Sequence, residues 1–315
     1  MLDKTQVEAL LEPAGVLEAV RQAFILHSKK AGRLFPVVRE ALPSGAVFGI
    51  KSGDAENLSL LGLKAAGFWP DNRDRGGEPH QATILLFDPE TGRPNCVIDG
   101  NAVTTLRTGA AGALGLLHLA RADSSDVCVF GTGVQARVQL AYALQVLPAL
   151  RTTRYVTGDG RPDTGFESDF SHRCRLMHVF DRNTAVAASD VIITATPGNG
   201  SLFDLEAVRP GTHLNCIGTD TEGKRELPHG LLAKARLYVD DSSQARRIGE
   251  TQWAPGTPCT ELGDIVAAAT TAPRQASDVT VFDMTGIALQ DLTVTRMLLD
   301  RACAAGIGTR ISWPW

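Results

Sequence analysis

The chain has 315 residues, of which 43% are hydrophobic and 21% charged, and its formal net charge is −4. This length suggests about two domains, and the composition is that of a globular protein with a sizeable core. The balance of charge gives no reason to expect nucleic acid or an anionic membrane as a partner. No apolar run approaches the roughly 20 residues that a membrane helix needs.

The cysteines and the first residues indicate a reducing compartment. The six cysteines are scattered without a C-x-x-C pair, and Cys128 and Cys216 lie in apolar, strand-like runs. We expect buried small hydrophobic residues here, not disulfides or a zinc site, and no metal is predicted. The opening M-L-D-K-T-Q-V-E lacks the basic and then apolar pattern of a signal peptide. The expected location is the cytoplasm.

The first hundred residues predict a helical segment followed by strands. Residues 5–31 carry apolar side chains at helical spacing, and Gly32 ends the pattern. Strands are expected over 46–51, 60–67, 82–88 and 94–98. Because no helix separates them, this part reads as an α+β domain. Arg39, Lys51, Lys64 and His80 lie on or beside these strands; for Lys51 and His80, ordinary surface positions are as open as a substrate contact.

From Thr104 the pattern is helical and rich in small residues, which would let the helix pack closely. Arg107 is the one charge in this stretch. It is either a solvent-exposed arginine at a helix end or a ligand for an anion. Arginine suits a carboxylate because its planar fork matches two oxygens.

The stretch from Asp126 to Ala136 predicts a dinucleotide site. An apolar run meets Gly131, Thr132 and Gly133, and a helix-compatible segment follows. This is the order strand, tight turn, helix of the G-x-G-x-x-G/A motif, with Ala136 in the third place. The helix N-terminus would offer N–H groups and a positive dipole end to phosphates.

Beyond this motif, strands and helices alternate, which predicts a doubly wound, mostly parallel sheet of the Rossmann type. Three loops at strand ends then lie along one edge, over 131–133, 194–200 and 218–224. The ribose-reading position stays open, because Asp159 would favour NAD and Arg161 would favour NADP. Asp220 is either a turn or helix-cap residue, or a carboxylate that faces the nicotinamide.

Several segments together resemble the ornithine cyclodeaminase/μ-crystallin family. They are G-L-K-A-A-G-F-W-P-D-N (62–72), L-L-F-D-P-E-T-G-R-P (85–94), L-R-T-G-A-A (106–111), V-F-G-T-G-V-Q-A (129–136), G-T-D-T-E-G-K-R-E-L (218–227) and F-D-M-T-G-I-A-L-Q-D (282–291). They follow the family's order and cover nearly the whole chain. Within the family, members that reduce iminosuccinate are the most similar in four places: F-P-V-V-R-E-A-L (35–42), G-F-W-P-D-N (67–72), the His80-Gln81 pair and G-T-D-T-E-G-K (218–224).

The resemblance implies two domains and a homodimer. Residues 1–118 and 292–315 would form a β-rich domain for substrate binding and dimerisation, completed by the C-terminal helix. Residues 119–291 would form the Rossmann domain, and the active site would lie between the two.

The resemblance also assigns roles to residues. Lys64 falls on the family lysine, Arg107 on the arginine that binds the substrate carboxylate, and Asp220 on the active-site aspartate. Lys64 and Asp220 are therefore the expected catalytic residues. Arg39 lies where the family has a second carboxylate-binding arginine, and Lys51 and His80 are added because a dicarboxylic substrate would need more positive charge. The expected substrate-binding residues are therefore Arg39, Lys51, Lys64, His80 and Arg107. Two departures leave the substrate open: Thr285 stands where a serine is usual, and Thr221-Glu222 replace the residues that often follow the aspartate.

The expected cofactor is NAD(H) or NADP(H), with a slight preference for NAD(H). The residues expected to hold it are Thr108, Gly131, Thr132, Gly133, Val134, Gln135, Asp159, Thr194, Ala195, Thr196, Gly218, Thr219, Asp220 and Thr285.

The leading hypothesis is an NAD(P)H-dependent imine reductase for a small imino acid, with iminosuccinate to L-aspartate as the first choice. The alternatives are a cyclodeaminase of the ornithine type with bound NAD, and an imine reductase of the pyrroline-2-carboxylate or alanine type. A non-catalytic binding protein on the same fold is a further alternative, which the joint presence of Lys64, Arg107 and Asp220 disfavours.

Overall fold

The computed structural model describes residues 1–269 and 271–312. The chain divides into a first unit, Met1–Arg107 with Ile287–Trp315, and a second unit, Thr108–Gly286. The domain limits expected from the sequence, at 118/119 and 291/292, stay a prediction, and residues 313–315 of that prediction lie outside the described residues. None of the helices in the described part of the chain combines the length and apolar character that a bilayer crossing requires.

The first unit contains an antiparallel sheet and helices. Its elements are α1 (Lys4–Leu10), α2 (Pro13–Ser28), β1 (Arg33–Leu34), β2 (Val38–Ala41), β3 (Val47–Ala55), β4 (Leu60–Phe68), β5 (His80–Phe87), β6 (Pro94–Asp99), the start of α3 (Asn101–Leu119), and α10 (Ala288–Ala305). The single helical pattern expected over 5–31 is two helices, because Pro13 lacks the N–H that would continue the first and suits the first turn of the second. Short 3₁₀ helices occupy Glu56–Leu58 and Pro70–Arg75.

The antiparallel sheet has the order β1-β3-β4-β5-β6, and β2 pairs with β3 beyond β1. One face lies against α10, since a Cβ at Gly62 would overlap Leu292 and one at Gly53 would contact Ala288. The other face carries partly buried apolar side chains, namely Phe48, Ile50, Leu61, Leu63, Leu85, Phe87 and Val97. Because side chains alternate along each strand, one face of the sheet is covered by a helix, and the other is apolar and only partly buried.

The second unit is a parallel α/β domain, which confirms the Rossmann-type prediction. Its elements are β7 (Asp126–Phe130), α4 (Val134–Val146), β8 (Thr152–Val156), α5 (Thr164–Phe170), β9 (Arg175–His178), α6 (Arg182–Ala187), β10 (Val191–Thr194), β11 (His213–Cys216), α7 (Leu231–Lys234), β12 (Arg236–Val239), α8 (Ser242–Ile248), β13 (Cys259–Glu261), α9 (Leu262–Ala267) and β14 (Thr280–Asp283). Short 3₁₀ helices occupy Leu205–Ala207 and Glu250–Trp253.

The parallel sheet has the order β13-β12-β14-β11-β10-β7-β8-β9. The chain winds outward from β7 through β8 and β9, and then returns to β10 on the other side of β7. This reversal creates a switch point between β7 and β10, where such sheets bind ligands at the carboxyl ends of their strands. Val127 and Val129 enter the core on one side, and Cys128 and Phe130 the core on the other. Cys128 and Cys216 are fully buried, as expected.

Candidate functional site

The register of the antiparallel sheet brings the predicted cationic residues to one face. Lys51 lies directly opposite Lys64, and His80 lies opposite Phe68. Arg39 lies opposite Gly49, which pairs with Ala66. Because side chains alternate along each strand, Arg39, Lys51, Lys64 and His80 all emerge on the same face, from four neighbouring strands.

Lys64 and Arg107 meet at a single buried carboxylate. Lys64 Nζ donates to Asp291 Oδ1 at 2.9 Å, and Arg107 Nε donates to the same oxygen at 3.0 Å. Because they share one acceptor atom, the two nitrogens are at most about 6 Å apart. Arg107 Nη1 also donates to Gln290 Oε1 at 3.1 Å, and Lys64 Nζ lies 3.4 Å from Thr104 Oγ1.

Burial sets the charge behaviour of this cluster. Lys64, Arg107 and Asp291 are 5%, 6% and 0% exposed. The alternative in which Arg107 is a solvent-exposed arginine at a helix end is therefore wrong. Burial first, and then the charge of Arg107, lower the pKa of Lys64 to about 7, against the opposing effect of Asp291. Burial alone would raise the pKa of Asp291, but Arg107 and Lys64 outweigh it and hold that pKa below its usual value. The cluster holds more positive than negative charge when Lys64 is protonated.

His80 stands at the end of the same face. Its Nδ1 lies 3.2 Å from Asn101 Oδ1, while Asn101 Nδ2 donates to Glu78 Oε2 and to the His80 carbonyl. Because the Asn101 amide nitrogen already serves two acceptors, its oxygen accepts, and His80 Nδ1 is the donor. Burial first, and then the charge of Lys64, lower the pKa of His80, which favours a neutral ring with an acceptor at Nε2.

The glycine motif has the geometry that a pyrophosphate requires. Gly131 has φ +96°, and a Cβ there would lie 2.7 Å from the Ala195 carbonyl oxygen, so only glycine fits. At Gly133 a Cβ would meet no atom within 4 Å, so this side of the turn is open. Gly133 also precedes α4 and offers no side-chain oxygen to cap it. These residues fit a bound phosphate at the start of a 13-residue helix.

Further predicted cofactor residues gather at the carboxyl edge of the parallel sheet. Thr132 and Val134 flank Gly133, and Thr194, Ala195 and Thr196 follow β10. The buried oxygen Gln135 Oε1 has no hydrogen-bond partner among the described residues. A polar atom buried in this way is usually bonded, so it fits a dinucleotide at this edge.

The remaining predicted positions are placed as follows. The Thr108 carbonyl accepts from Gln139 Nε2 at 2.8 Å, and Thr108 is buried in α3. Asp159 is exposed in the turn after β8 and accepts from the Arg161 backbone N–H at 3.1 Å. Thr285 keeps the hydroxyl of the usual serine and donates it to Asp240 Oδ1 at 2.8 Å.

Gly218, Thr219 and Asp220 follow β11. Thr219 is buried and donates its hydroxyl to Glu250 Oε1 at 2.6 Å. Asp220 is half-buried, and its Oδ1 accepts from Thr221 Oγ1 at 3.1 Å. Asp220 thus lies at the strand end that the sequence predicts for it.

Sequence reasoning missed Asp291, Gln290 and Glu226. Asp291 is 184 residues from its partner Arg107 along the chain. The polar pair Gln290-Asp291 within the apolar run I-A-L-Q-D-L-T-V was the available signal. Glu226 is fully buried and accepts from Thr196, which no local pattern indicates.

Comparison with known proteins extends these findings. Residues 1–306 match the model of the ornithine cyclodeaminase/mu-crystallin family. The iminosuccinate reductase of Paracoccus denitrificans (strain Pd 1222) is 33% identical over 315 residues, which cover 97% of each chain. Its crystal structure in complex with NAD+ superposes with a TM-score of 0.88 at 32% identity, covering 99% of this chain and 98% of the other.

Two further solved structures are similar. An archaeal alanine dehydrogenase, described as a dimer with bound NAD, gives a TM-score of 0.91 at 30% identity and covers 99% of this chain and 98% of the other. A lysine cyclodeaminase that recognises L-lysine, L-ornithine and L-2,4-diaminobutyric acid gives 0.88 at 28% identity, with 99% and 95% covered.

Proposed function

The chain belongs to the ornithine cyclodeaminase/mu-crystallin family, and from that premise we propose that it is an NAD(H)-dependent imine reductase acting on a small imino acid. The observation that carries the proposal is the buried cluster in which Lys64 and Arg107 share the Asp291 carboxylate. A buried group of this charge suits a ligand with a carboxylate.

Lys64 and Arg107 bind the carboxylate next to the C=N carbon. Arg107 presents a planar fork already oriented by Asp291 and Gln290, so little side-chain freedom is lost on binding. Lys64, with a pKa of about 7, is able to bind the same carboxylate when protonated or to pass a proton when neutral.

The glycine-rich turn and the loops after β10 and β11 hold the cofactor. Bound NADH supplies the hydride that reduces the imine carbon. NAD(H) is proposed over NADP(H) because Asp159 stands in the turn after β8, where a carboxylate disfavours a 2′-phosphate. The NAD of the alanine dehydrogenase and iminosuccinate reductase structures supports the same choice.

Asp220 has the role of the active-site carboxylate. An imine carbon becomes more electrophilic when its nitrogen is protonated. A carboxylate that accepts the iminium N–H stabilises this charge, and in the reverse direction it takes a proton from the amine.

The preferred substrate is iminosuccinate, which would be reduced to L-aspartate. A second carboxylate needs additional positive charge or hydrogen-bond donors. Arg39 and Lys51 lie on the same sheet face as Lys64 and supply the charge. The 33% identity to an iminosuccinate reductase supports the same substrate.

A cyclodeaminase is the second candidate, because the lysine cyclodeaminase structure superposes over almost the whole of this chain. Such an enzyme would consume no external NADH and would release ammonia. This difference makes the two candidates separable in one set of assays.

The test is oxidation of NADH, and separately of NADPH, followed at 340 nm. Oxaloacetate, pyruvate or glyoxylate is mixed with ammonia, pyrroline-2-carboxylate is supplied preformed, and ornithine and lysine are assayed for ammonia release. We expect turnover with oxaloacetate, ammonia and NADH. Turnover only with pyrroline-2-carboxylate would keep the imine reductase but assign it a cyclic imine as substrate. Release of ammonia from a diamino acid without NADH oxidation would show that the protein is a cyclodeaminase.

We also propose that the protein is a homodimer formed through the half-exposed apolar face of the antiparallel sheet. That face carries aromatic and branched aliphatic side chains on several strands, as interface cores do. The archaeal alanine dehydrogenase is described as a dimer.

A further inference from the structure

The side chain of Glu226 joins two loops at the carboxyl edge of the parallel sheet. Its Oε1 accepts from the Thr196 backbone N–H at 2.8 Å and from Thr196 Oγ1 at 2.5 Å. The same carboxylate packs against Gly218, where any Cβ would overlap it. Glu226 is fully buried. One carboxylate therefore contacts the loop after β10 and the loop after β11 at their inner ends.

A cation bridges the same two residues. Lys224 Nζ donates to the Thr196 carbonyl at 2.9 Å and also to the Gly218 carbonyl. Thr196 thus has its N–H, its hydroxyl and its carbonyl all bound by side chains from residues 224–226. Such contacts leave this backbone little freedom.

A second carboxyl fixes Glu226 itself. Glu250 Oε1 accepts from the Glu226 backbone N–H and from Thr219 Oγ1, each at 2.6 Å. Glu250 is 1% exposed. Glu250 thus holds the backbone of Glu226 in place, and the Glu226 side chain in turn holds Thr196.

Backbone bonds also join the two loops. Next to the sheet, Gly218 N donates to the Thr194 carbonyl at 3.1 Å, and farther out Gly200 N donates to the Arg225 carbonyl at 2.7 Å and Leu202 N to the Glu226 carbonyl at 2.9 Å. Thr196 lies between these backbone bonds and is held by the side chains of Glu226 and Lys224. A buried carboxylate is unfavourable unless its bonds compensate, and Glu226 Oε2 has no partner among the described residues.

We propose that Glu226 is a positioning residue for the nicotinamide ring of the dinucleotide, acting through Thr196 and Gly218. The inference rests on the proposed function, since it presumes that NAD(H) binds at this edge. The loops after β10 and β11 lie on the opposite side of β7 from β8, whose end carries the ribose-reading position. In a doubly wound sheet, this is the side that receives the half of the dinucleotide beyond the pyrophosphate.

The experiment compares NADH with ADP-ribose, which keeps both riboses and both phosphates and lacks only the nicotinamide ring. The wild-type protein and Glu226→Gln are titrated with NADH and with ADP-ribose by calorimetry, with thermal unfolding as a check of the fold. Glu206→Gln, which alters an exposed carboxylate of the same unit, is the matched control. We expect Glu226→Gln to weaken NADH about tenfold, as the loss of a charge-assisted hydrogen bond implies, and to leave ADP-ribose within about twofold.

Lys224→Met tests the same bridge independently, and covers the case in which Glu226→Gln does not fold. It removes the cation while leaving the Glu226 bonds, and the same selective loss of NADH is expected. Equal weakening of both ligands, or no weakening of either, overturns the inference. A wild-type protein that binds neither ligand rejects the proposed function and the inference together, whereas a wild type that binds both without selective loss in the variants rejects only the inference.

Discussion

At the scale of single residues, the proposed chemistry depends most on Asp220. If its carboxylate stabilises the iminium charge, Asp220→Asn lowers kcat by about 10²–10⁴-fold while NADH affinity changes little. Steady-state kinetics and an NADH titration check both parts. Glu222→Gln, an exposed carboxylate two residues away, is the control. Near-normal turnover of the Asp220 variant would remove this residue from the mechanism.

Asp291 supplies the counter-charge that lets two cations stay buried. Asp291→Asn leaves Lys64 and Arg107 without it, and we expect the free energy of unfolding to fall by about 3–5 kcal/mol in urea titrations. Because Asp291 raises the pKa of Lys64 against burial, the variant should also lose affinity for the carboxylate substrate at lower pH than the wild type does. Asp300→Asn on the same helix, mostly exposed, should change neither property. Unchanged stability would show that Asp291 does not stabilise the buried charges of Lys64 and Arg107.

The sequence predicted some site residues and not others for a physical reason. Lys64 and Arg107 stand out because each is a lone charge in an apolar or small-residue stretch. Asp291 has meaning only through partners that the fold brings from far along the chain, and no periodicity carries that information. The same holds for Glu226, whose role depends on the spacing of two loops.

At the scale of elements, the two glycines of the turn between β7 and α4 have different roles, since Gly131 is needed for the fold and Gly133 for binding the cofactor. Gly131→Ala places a side chain at φ +96° against the Ala195 carbonyl, so we expect a loss of about 2 kcal/mol or more of stability and loss of NADH binding. Gly133→Ala has open space and an ordinary backbone conformation, so stability is kept.

Gly131→Ala and Gly133→Ala are compared for stability and for NADH affinity. Urea unfolding and NADH titration are run on both proteins. Gly133→Ala should still lose NADH, because its methyl group occupies the space where the pyrophosphate approaches. Normal NADH affinity of Gly133→Ala would place the phosphates elsewhere.

The type of each long element was predictable, and its limits were less so. Strand patterns gave β7 and β10, because strands buried on both faces are continuous apolar runs. β11 is equally buried, but His213 and Asn215 interrupt its apolar pattern. The short edge strands β1, β2 and β13 were not predicted, since two to four residues carry no recognisable alternation. Pro13 divides the first helical pattern, although the apolar spacing continues past it.

At the scale of the whole molecule, the buried titratable groups predict an unusual dependence of stability on pH. Burial above all raises the pKa of Asp283 and Glu250 to about 7, so the stability they contribute is present below their ordinary pKa values and is lost as pH rises towards 7. The pKa of Lys64 is lowered to about 7, so its contribution is present above 10.5 and is lost as pH falls to 7. Burial lowers the pKa of His213 to about 4, so this group opposes the two carboxyls between pH 6.5 and 4, but it is one group against two. The free energy of unfolding should therefore have a minimum near pH 7.

Two variants assign the two limbs of this curve in urea titrations from pH 4 to 9. Above pH 9 the buried thiols of Cys96, Cys128 and Cys216, whose pKa values burial raises, lower stability as pH rises. Asp283→Asn should flatten the fall between pH 4 and 7 and leave the rise above 7. Lys64→Met should do the reverse. A curve that rises steadily through pH 7 would contradict the raised pKa values.

The proposed homodimer also belongs to this scale. Light scattering should give twice the 33.6 kDa chain mass. Leu63→Glu places a charge in the half-exposed apolar face of the antiparallel sheet and should give monomers, because an unpaired charge is costly in an interface core. Leu117→Glu changes a leucine that is 43% exposed in the second unit and should keep the dimer. A monomeric wild type would end this proposal.

The pairing of Lys64 and Arg107 with Asp291 also fixes an order of events during synthesis. Residues 108–286 must leave the ribosome before α10 appears, which takes on the order of 10–40 s at typical elongation rates of roughly 5–20 residues per second. Throughout that interval the antiparallel sheet lacks both the helix that covers it and the carboxylate that neutralises its cations. The nascent first unit therefore exposes apolar surface until the last helix docks, whereas every strand of the second unit has been synthesised before that helix.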